Sequence, residues 1–304
     1  MIKRALKYVI GSLGYTLVKN DRTVPDGYTD IRVGKFDIKI NNNNAIRYCY
    51  EYSRDYGAQL SRLASLLAEN YKNLVAIDIG ANIGDSVALI RSGAEVPVIC
   101  FEGDQMVLDQ FHANTKQFEN VTLVTAFLSD QAGELNCELS KVGHNLTLLP
   151  SKKTAKSQSV SFISIDSCFD QRVINENCKL LKVDTEGFDL KILRGGLKFL
   201  ETVNPAILFE FNRENLDNTE TDAFNIFIWL LNRGYHHILF YESDGRFMFS
   251  TELENQKFLK QLYDYIDAKN SKIYYIDVVV FHKSDDREAE AFIKGEELHR
   301  LAIK

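Results

Sequence analysis

The chain has 304 residues, 45% of them hydrophobic and 26% charged, with a formal net charge of −6. That balance belongs to a globular protein able to bury a full core; it excludes a low-complexity or collagenous chain and leaves no broad basic face for nucleic acid. No uncharged apolar stretch reaches the length of about eighteen residues that a membrane span needs.

The five cysteines (Cys49, Cys100, Cys137, Cys168 and Cys178) are widely spaced and form no Cys-x-x-Cys pair. Their pattern argues against a disulfide scaffold or a zinc site and fits a reducing, cytoplasmic setting. Met1 to Lys19 lacks a continuous apolar run and a small-residue cleavage site, so it does not read as a secretion signal. Within it, Ile2, Leu6, Val9, Ile10 and Leu13 share one helical face, with Lys3, Arg4 and Lys7 elsewhere. Two readings of residues 2–13 stand: a helix packed on the domain, or a basic amphipathic helix on the inner face of an anionic membrane or on a membrane-bound partner.

The tract Asn41 to Asn44 marks a turn, and the spacing of Leu60, Leu63, Ala64 and Leu67 predicts a helix. Residues 1–73 are thus expected to form a helical N-terminal extension. From Leu74 onward, short apolar runs alternate with helical stretches. Strands are expected at Val75–Ile79, Pro97–Phe101, Val121–Leu128, Leu180–Val183, Ala206–Phe211, His237–Tyr241 and Tyr274–Phe281. The helices between them carry Val87–Ile90, Val107–Phe111, Phe188–Leu193, Phe224–Leu231 and Leu259–Ile266, and Thr219 with Asp222 reads as a capping box. Near-continuous apolar strands alternating with helices predict a doubly wound, mostly parallel α/β sheet over residues 74–283, Rossmann-like in connectivity. A helical tail is expected at 284–304. Ser140 to Ser159, polar and lysine-rich, is expected to be an irregular loop that shapes ligand choice.

Ligands of an open parallel sheet bind beyond the carboxyl ends of its strands. The expected strand ends read Asp78-Ile-Gly80-Ala-Asn82-Ile-Gly84-Asp85, then Glu102-Gly-Asp104, Ser129-Asp130, Asp184-Thr-Glu186-Gly187 and Glu210-Phe-Asn212; each carries a carboxylate. A dinucleotide loop wants Gly-x-Gly-x-x-Gly around a pyrophosphate. Here Asn82 and Asp85 stand where the second and third glycines belong. Asp78 and Asp85 would flank the phosphates, and each like-charge contact at ~5 Å would cost about 3 kcal/mol at an effective dielectric of about 20. A nicotinamide-dependent oxidoreductase is therefore the weaker alternative. A cationic nucleoside such as S-adenosylmethionine suits the same loop: Gly80 and Gly84 permit close backbone approach, and Glu102 is placed to accept ribose hydroxyls. Ser129 and Asp130 would face the base, and Asp85 reads as a cap of the next helix.

The motif Asp78-Ile-Gly-Ala-Asn-Ile-Gly-Asp85, followed by Phe101-Glu102, Lys182-Val-Asp-Thr-Glu-Gly-Phe-Asp189 and Leu193-Arg-Gly195, resembles the FkbM-type class I methyltransferases. Tyr56 and the Leu60–Leu67 helix extend the resemblance to roughly residues 45–283. It implies a seven-stranded sheet with an antiparallel last strand, S-adenosylmethionine as donor and an oxygen acceptor on a sugar, glycan or natural product. Asp78, Gly80, Asn82, Gly84 and Glu102 are the cofactor contacts it implies.

Displacement at a methyl group needs an aligned acceptor oxygen and a group to take its proton. Asp184 and Glu186, two apart at a strand end, are the expected base or acceptor-orienting pair, alongside structural roles in closing the pocket or the turn. His144 is a second candidate base. Asp184, Glu210 and Asn212 offer an oxygen-rich set for a divalent cation, but no metal is assigned. Lys152, Lys153 and Lys156 suit an acidic acceptor or a solvated loop. The remaining histidines show no ligand spacing. A non-catalytic module that keeps only the cofactor pocket is the other alternative.

Overall fold

The computed structural model describes residues 27–302 apart from 54, 143–144, 151–156, 186, 213–222, 269–270, 272 and 274, with backbone only at 139–142, 145–150 and 212. The basic helix expected at 2–13, His144, Glu186, the Lys152–Lys156 cluster and the Thr219–Asp222 cap lie outside the described residues, as does the side chain of Asn212.

The chain opens with a hairpin, β1 (Tyr28–Val33) and β2 (Phe36–Asn41), followed by α1 (Ile46–Tyr52) and α2 (Ala58–Asn70). The alternating units β3 (Ala76–Ile79), α3 (Asp85–Gly93), β4 (Val98–Phe101), α4 (Leu108–Thr115) and β5 (Val121–Val124) come next. Then follow β6 (Phe127–Leu128), β7 (Gly133–Val142), β8 (Asn145–Pro150), β9 (Gln158–Ile163) and α5 (Ile165–Asp170). The second half holds β10 (Leu180–Val183), α6 (Asp189–Arg194), α7 (Leu197–Val203), β11 (Ala206–Asn212), α8 (Asn225–Leu231) and β12 (Tyr235–Glu242). It closes with β13 (Phe247–Glu252), α9 (Gln256–Asp267), β14 (Tyr275–His282) and, after a short 3-10 turn, α10 (Asp286–Ala302).

The main sheet has the order β13-β12-β14-β11-β10-β3-β4-β5. Its strands β5, β4, β3, β10 and β11 pair in parallel, and β14 enters antiparallel between β11 and β12. This is the expected doubly wound α/β sheet with its antiparallel last strand, but it has eight strands rather than seven. β13, which had no expected counterpart, folds back on β12 as a hairpin edge. Alternate residues along each strand face opposite sides. Ile77, Ile79, Leu181, Val183, Ile207 and Phe209 bury one face against α6, α7, α8 and α9. Ala76, Val98, Leu180 and Leu208 bury the other against the hairpin, α2, α3 and α10. Both faces are covered, so these strands read as unbroken apolar runs.

Two expectations are corrected. The N-terminal extension is not wholly helical: Ile31, Val33, Ile38 and Ile40 of the hairpin are buried in the same cluster as Leu63, Val87 and Ile90. Where it is described, the segment Ser140–Ser159 is mainly strand rather than an irregular loop. β7 and β8 form a hairpin across it, and β9 and β6 complete a four-stranded sheet in the order β6-β9-β7-β8. The alternation Leu135, Cys137, Leu139 was the available signal, period two instead of a continuous apolar run. Val121–Leu128 is accordingly two strands in two sheets.

Candidate active site

The register of β10 on β3 sets Lys182 directly beside Asp78. Lys182 Nζ lies 3.0 Å from Asp78 Oδ1 and 3.5 Å from Asp184 Oδ2, and it also donates to the Gly80 carbonyl at 3.4 Å. Burial disfavours this ammonium, but Asp78 and Asp184 more than offset that and hold it firmly protonated. Ser86 Oγ donates to the second oxygen of Asp78 at 2.5 Å. Asp78 is 0% exposed, so the carboxylate expected to meet a ligand has both oxygens bonded inside the protein. Its visible work is to anchor the loop.

That loop is shaped by three left-handed residues, Gly80 at φ +80°, Asn82 at +45° and Gly84 at +83°. A side chain at Gly80 would bring Cβ within 1.9 Å of the Asp184 carbonyl oxygen, and one at Gly84 would reach Thr115 at 2.7 Å. The glycines thus make room for neighbouring chain segments as well as for the turn. Gly80 and Ala81 donate their amides to Phe101 O at 2.9 and 3.2 Å. The Asn82 amide donates to Glu102 Oε2 at 2.9 Å, and the Asp104 amide to Glu102 Oε1 at 2.7 Å. Burial pushes the Glu102 carboxyl up, while the amides of Asp104 and Asn82 pull it back. Asn82 Oδ1 is buried without a hydrogen-bond partner in the protein.

Asp184, 48% exposed, is the open carboxylate of this group. Its charge acts on two neighbours that sequence reasoning missed. Asp189 accepts from the Thr185 and Gly187 amides at 3.3 Å and from Thr185 Oγ1 at 3.1 Å, and its other oxygen is buried unpaired. Burial, then the charge of Asp184, pushes Asp189 up to about 7. Asp277, brought in by β14, accepts from Gln59 Nε2 at 2.8 Å and is pushed up to about 7 by the same two causes.

The N-terminal extension adds two tyrosines beside the loop. Tyr50 donates to Asp85 Oδ2 at 2.7 Å, and its ring meets that of Tyr56 edge-on at 4.9 Å. Asp85 therefore takes a tyrosine; Gly84 is the N-cap of α3, with no side-chain cap. Burial first, with the carboxylates of Asp184 and Asp85 nearby, raises Tyr56 well above the usual phenol range.

Ser129 and Asp130 sit elsewhere than at an end of the parallel sheet. They follow β6 of the smaller sheet, where the Ser129 amide donates to Ile163 O at 3.0 Å and its hydroxyl to Asp130 at 2.9 Å. Both pack on the turn at Gly195, where a Cβ would meet Ser129 O at 2.4 Å. The residue lying over the Glu102–Gly103 turn is Phe127: a Cβ on Gly103 would be 2.4 Å from its ring. Phe162 links Phe127 to a stacked Phe188, with centroids at 6.1 and 5.4 Å. Three phenylalanines spread over sixty residues carry no local signal that would have found them.

Among the described residues no helix is long and apolar enough to cross a membrane. The family described as the methyltransferase FkbM domain matches residues 78–236. A hexuronic acid methyltransferase, AglP of Haloferax volcanii, is 27% identical over 156 residues, which is 51% of this chain and 63% of that protein. Among solved structures, the FkbM methyltransferase of Methylobacillus flagellatus is 14% identical at a TM-score of 0.40, covering 68% of this chain and 43% of its own. The precorrin-6y C5,15-methyltransferase of Geobacter metallireducens is 13% identical at a TM-score of 0.38, covering 74% and 86%. This chain thus spans less than two thirds of the Haloferax and Methylobacillus proteins. With the family match running from the first residue of the glycine loop across β10 and β11, the chain belongs to the FkbM methyltransferase domain family.

Proposed function

We propose that this protein is an S-adenosylmethionine-dependent O-methyltransferase whose acceptor is a hydroxyl of a sugar, glycan or natural product. The observation that carries the proposal is the division of labour among the carboxylates: Asp78 is wholly buried and held by Lys182 at 3.0 Å, whereas Asp184 shares that ammonium at the longer distance of 3.5 Å and is 48% exposed, and Glu102 is held only by backbone amides. The residues suit the cofactor. Asn82 Oδ1 is a buried acceptor awaiting a donor, and both Glu102 oxygens keep lone pairs for ribose hydroxyls. A bound donor supplies an electrophilic methyl group on a sulfonium centre. Gly80, Asn82, Gly84 and Glu102 would hold that donor, and Asp78 with Lys182 keeps the loop in shape. Asp184 accepts or orients the acceptor proton.

Membership of a methyltransferase family supports transfer of a methyl group, and the Haloferax relative, named for its action on a hexuronic acid, supports a saccharide acceptor. A hexuronic acid offers hydroxyls and a carboxylate, and methylation of either is transfer to oxygen. The test is calorimetric titration with S-adenosylhomocysteine and with NAD, followed by incubation of the full chain with labelled donor and a panel of neutral and uronic-acid saccharides. Binding of the sulfur nucleoside, rejection of NAD and a labelled saccharide are expected. Release of the label by mild alkali identifies an ester, and retention identifies an ether. Binding without any labelled product marks a non-catalytic module, and preference for NAD reverses the assignment.

A further inference from the structure

β12 runs in the direction of the parallel strands, so its first residues lie at the edge of the sheet opposite the carboxylates described above. Two histidines, His236 and His237, stand there in succession. On a regular strand, successive side chains point to opposite faces. Here the pairing with β14 slips between Tyr235 and His237, so that His236 is the extra residue of a bulge. The bulge turns both rings toward one carboxylate. His236 Nδ1 is 2.8 Å and His237 Nε2 3.5 Å from Asp286 Oδ1, at the first residue of α10, and the ring centroids are 4.3 Å apart. These three ligand atoms lie within 4.8 Å of one another.

Two imidazole nitrogens and a carboxylate oxygen are the donor set of a zinc-class ion, with water completing the coordination. The free nitrogen of His236 faces Glu254 at 3.8 Å and Glu252 at 4.0 Å, the carboxylate backing that a metal-bound imidazole usually has. A simple ion pair would need only His236 and Asp286; the second ring is what a metal adds. We propose that His236, His237 and Asp286 bind one divalent transition-metal ion, which ties α10 to the β12–β13 hairpin and takes no part in methyl transfer.

The experiment uses the untagged full chain with Cys49→Ser, which removes the one partly exposed thiol among the cysteines. Zn2+ is measured by equilibrium dialysis with elemental analysis, Co2+ by its visible absorption, and thermal unfolding with and without Zn2+. One ion per chain, a Co2+ spectrum of nitrogen–oxygen coordination and a rise in Tm that saturates at one equivalent are expected. His237→Ala should weaken Zn2+ binding at least tenfold while unfolding like the parent without metal. Asp286→Asn should weaken it independently, which guards against a folding defect in either variant. No uptake at micromolar Zn2+, or uptake unchanged in both variants, overturns the site.

Discussion

β3 and β10 run side by side, with Asp78 the penultimate residue of the one and Asp184 just past the other, and the chain uses the two ends differently. After β3 nearly every polar group is bonded: Asp78 to Lys182 and Ser86, the Asn82 amide to Glu102, and the Gly80 and Ala81 amides to Phe101. After β10 the bonding is incomplete, with Asp184 half in solvent and one oxygen of Asp189 unpaired in the interior. One end is a frame, and the other presents charge. A carboxylate at a strand end says little about its task until its partners are known, because a buried charge must be neutralised while an exposed one is free to act.

The largest effect is expected from Lys182→Met, which leaves Asp78 buried and unpaired and should cost about 3–5 kcal/mol in urea denaturation. Adding Asp78→Asn should restore much of the loss; a single substitution as stable as wild type would dissolve the frame. Gly80→Ala should destabilise by on the order of 3 kcal/mol, since the left-handed backbone is strained and the new Cβ meets the Asp184 carbonyl. If calorimetry gives wild-type stability and donor affinity for that variant, the loop is not the rigid element described. Asp184→Asn should instead lower kcat by about 100-fold, equivalent to about 2.7 kcal/mol, with little change in donor Kd or Tm. A parallel loss of donor affinity would move Asp184 into the frame.

The last prediction concerns pH. Asp189 and Asp277, pushed up to about 7 in the folded chain, titrate near 4 when unfolded. Folding therefore favours their neutral forms: that stability is fully present below about pH 4 and is lost as pH rises toward 7. Asp277→Asn, which keeps an acceptor for Gln59, should flatten the fall in urea midpoint between pH 5 and 8. Identical slopes for variant and wild type would show that Asp277 titrates normally.

Much of this was legible in the sequence. The apolar runs at 76–79, 98–101, 180–183 and 206–211 mark strands buried on both faces, and the loop Asp78–Gly84 stands out because left-handed turns need glycine or asparagine. Lys182 was in plain view within the second motif, yet its pairing with Asp78 depends on strand register, 104 residues away. The β7–β8 hairpin escaped because its apolar residues alternate in a polar, lysine-rich segment.

The order of apolar and polar residues determined by itself the α/β class, the parallel strands and the position of the glycine loop, since burial on two faces and left-handed turns each admit few residue types. Only the tertiary structure decided which carboxylates are spent and which are offered. It also set Tyr50, Gln59 and Asp277 around the site, and a bulge in β12 turned adjacent histidines toward one aspartate. Those outcomes depend on register and long-range packing, which bring together residues that have no proximity along the chain.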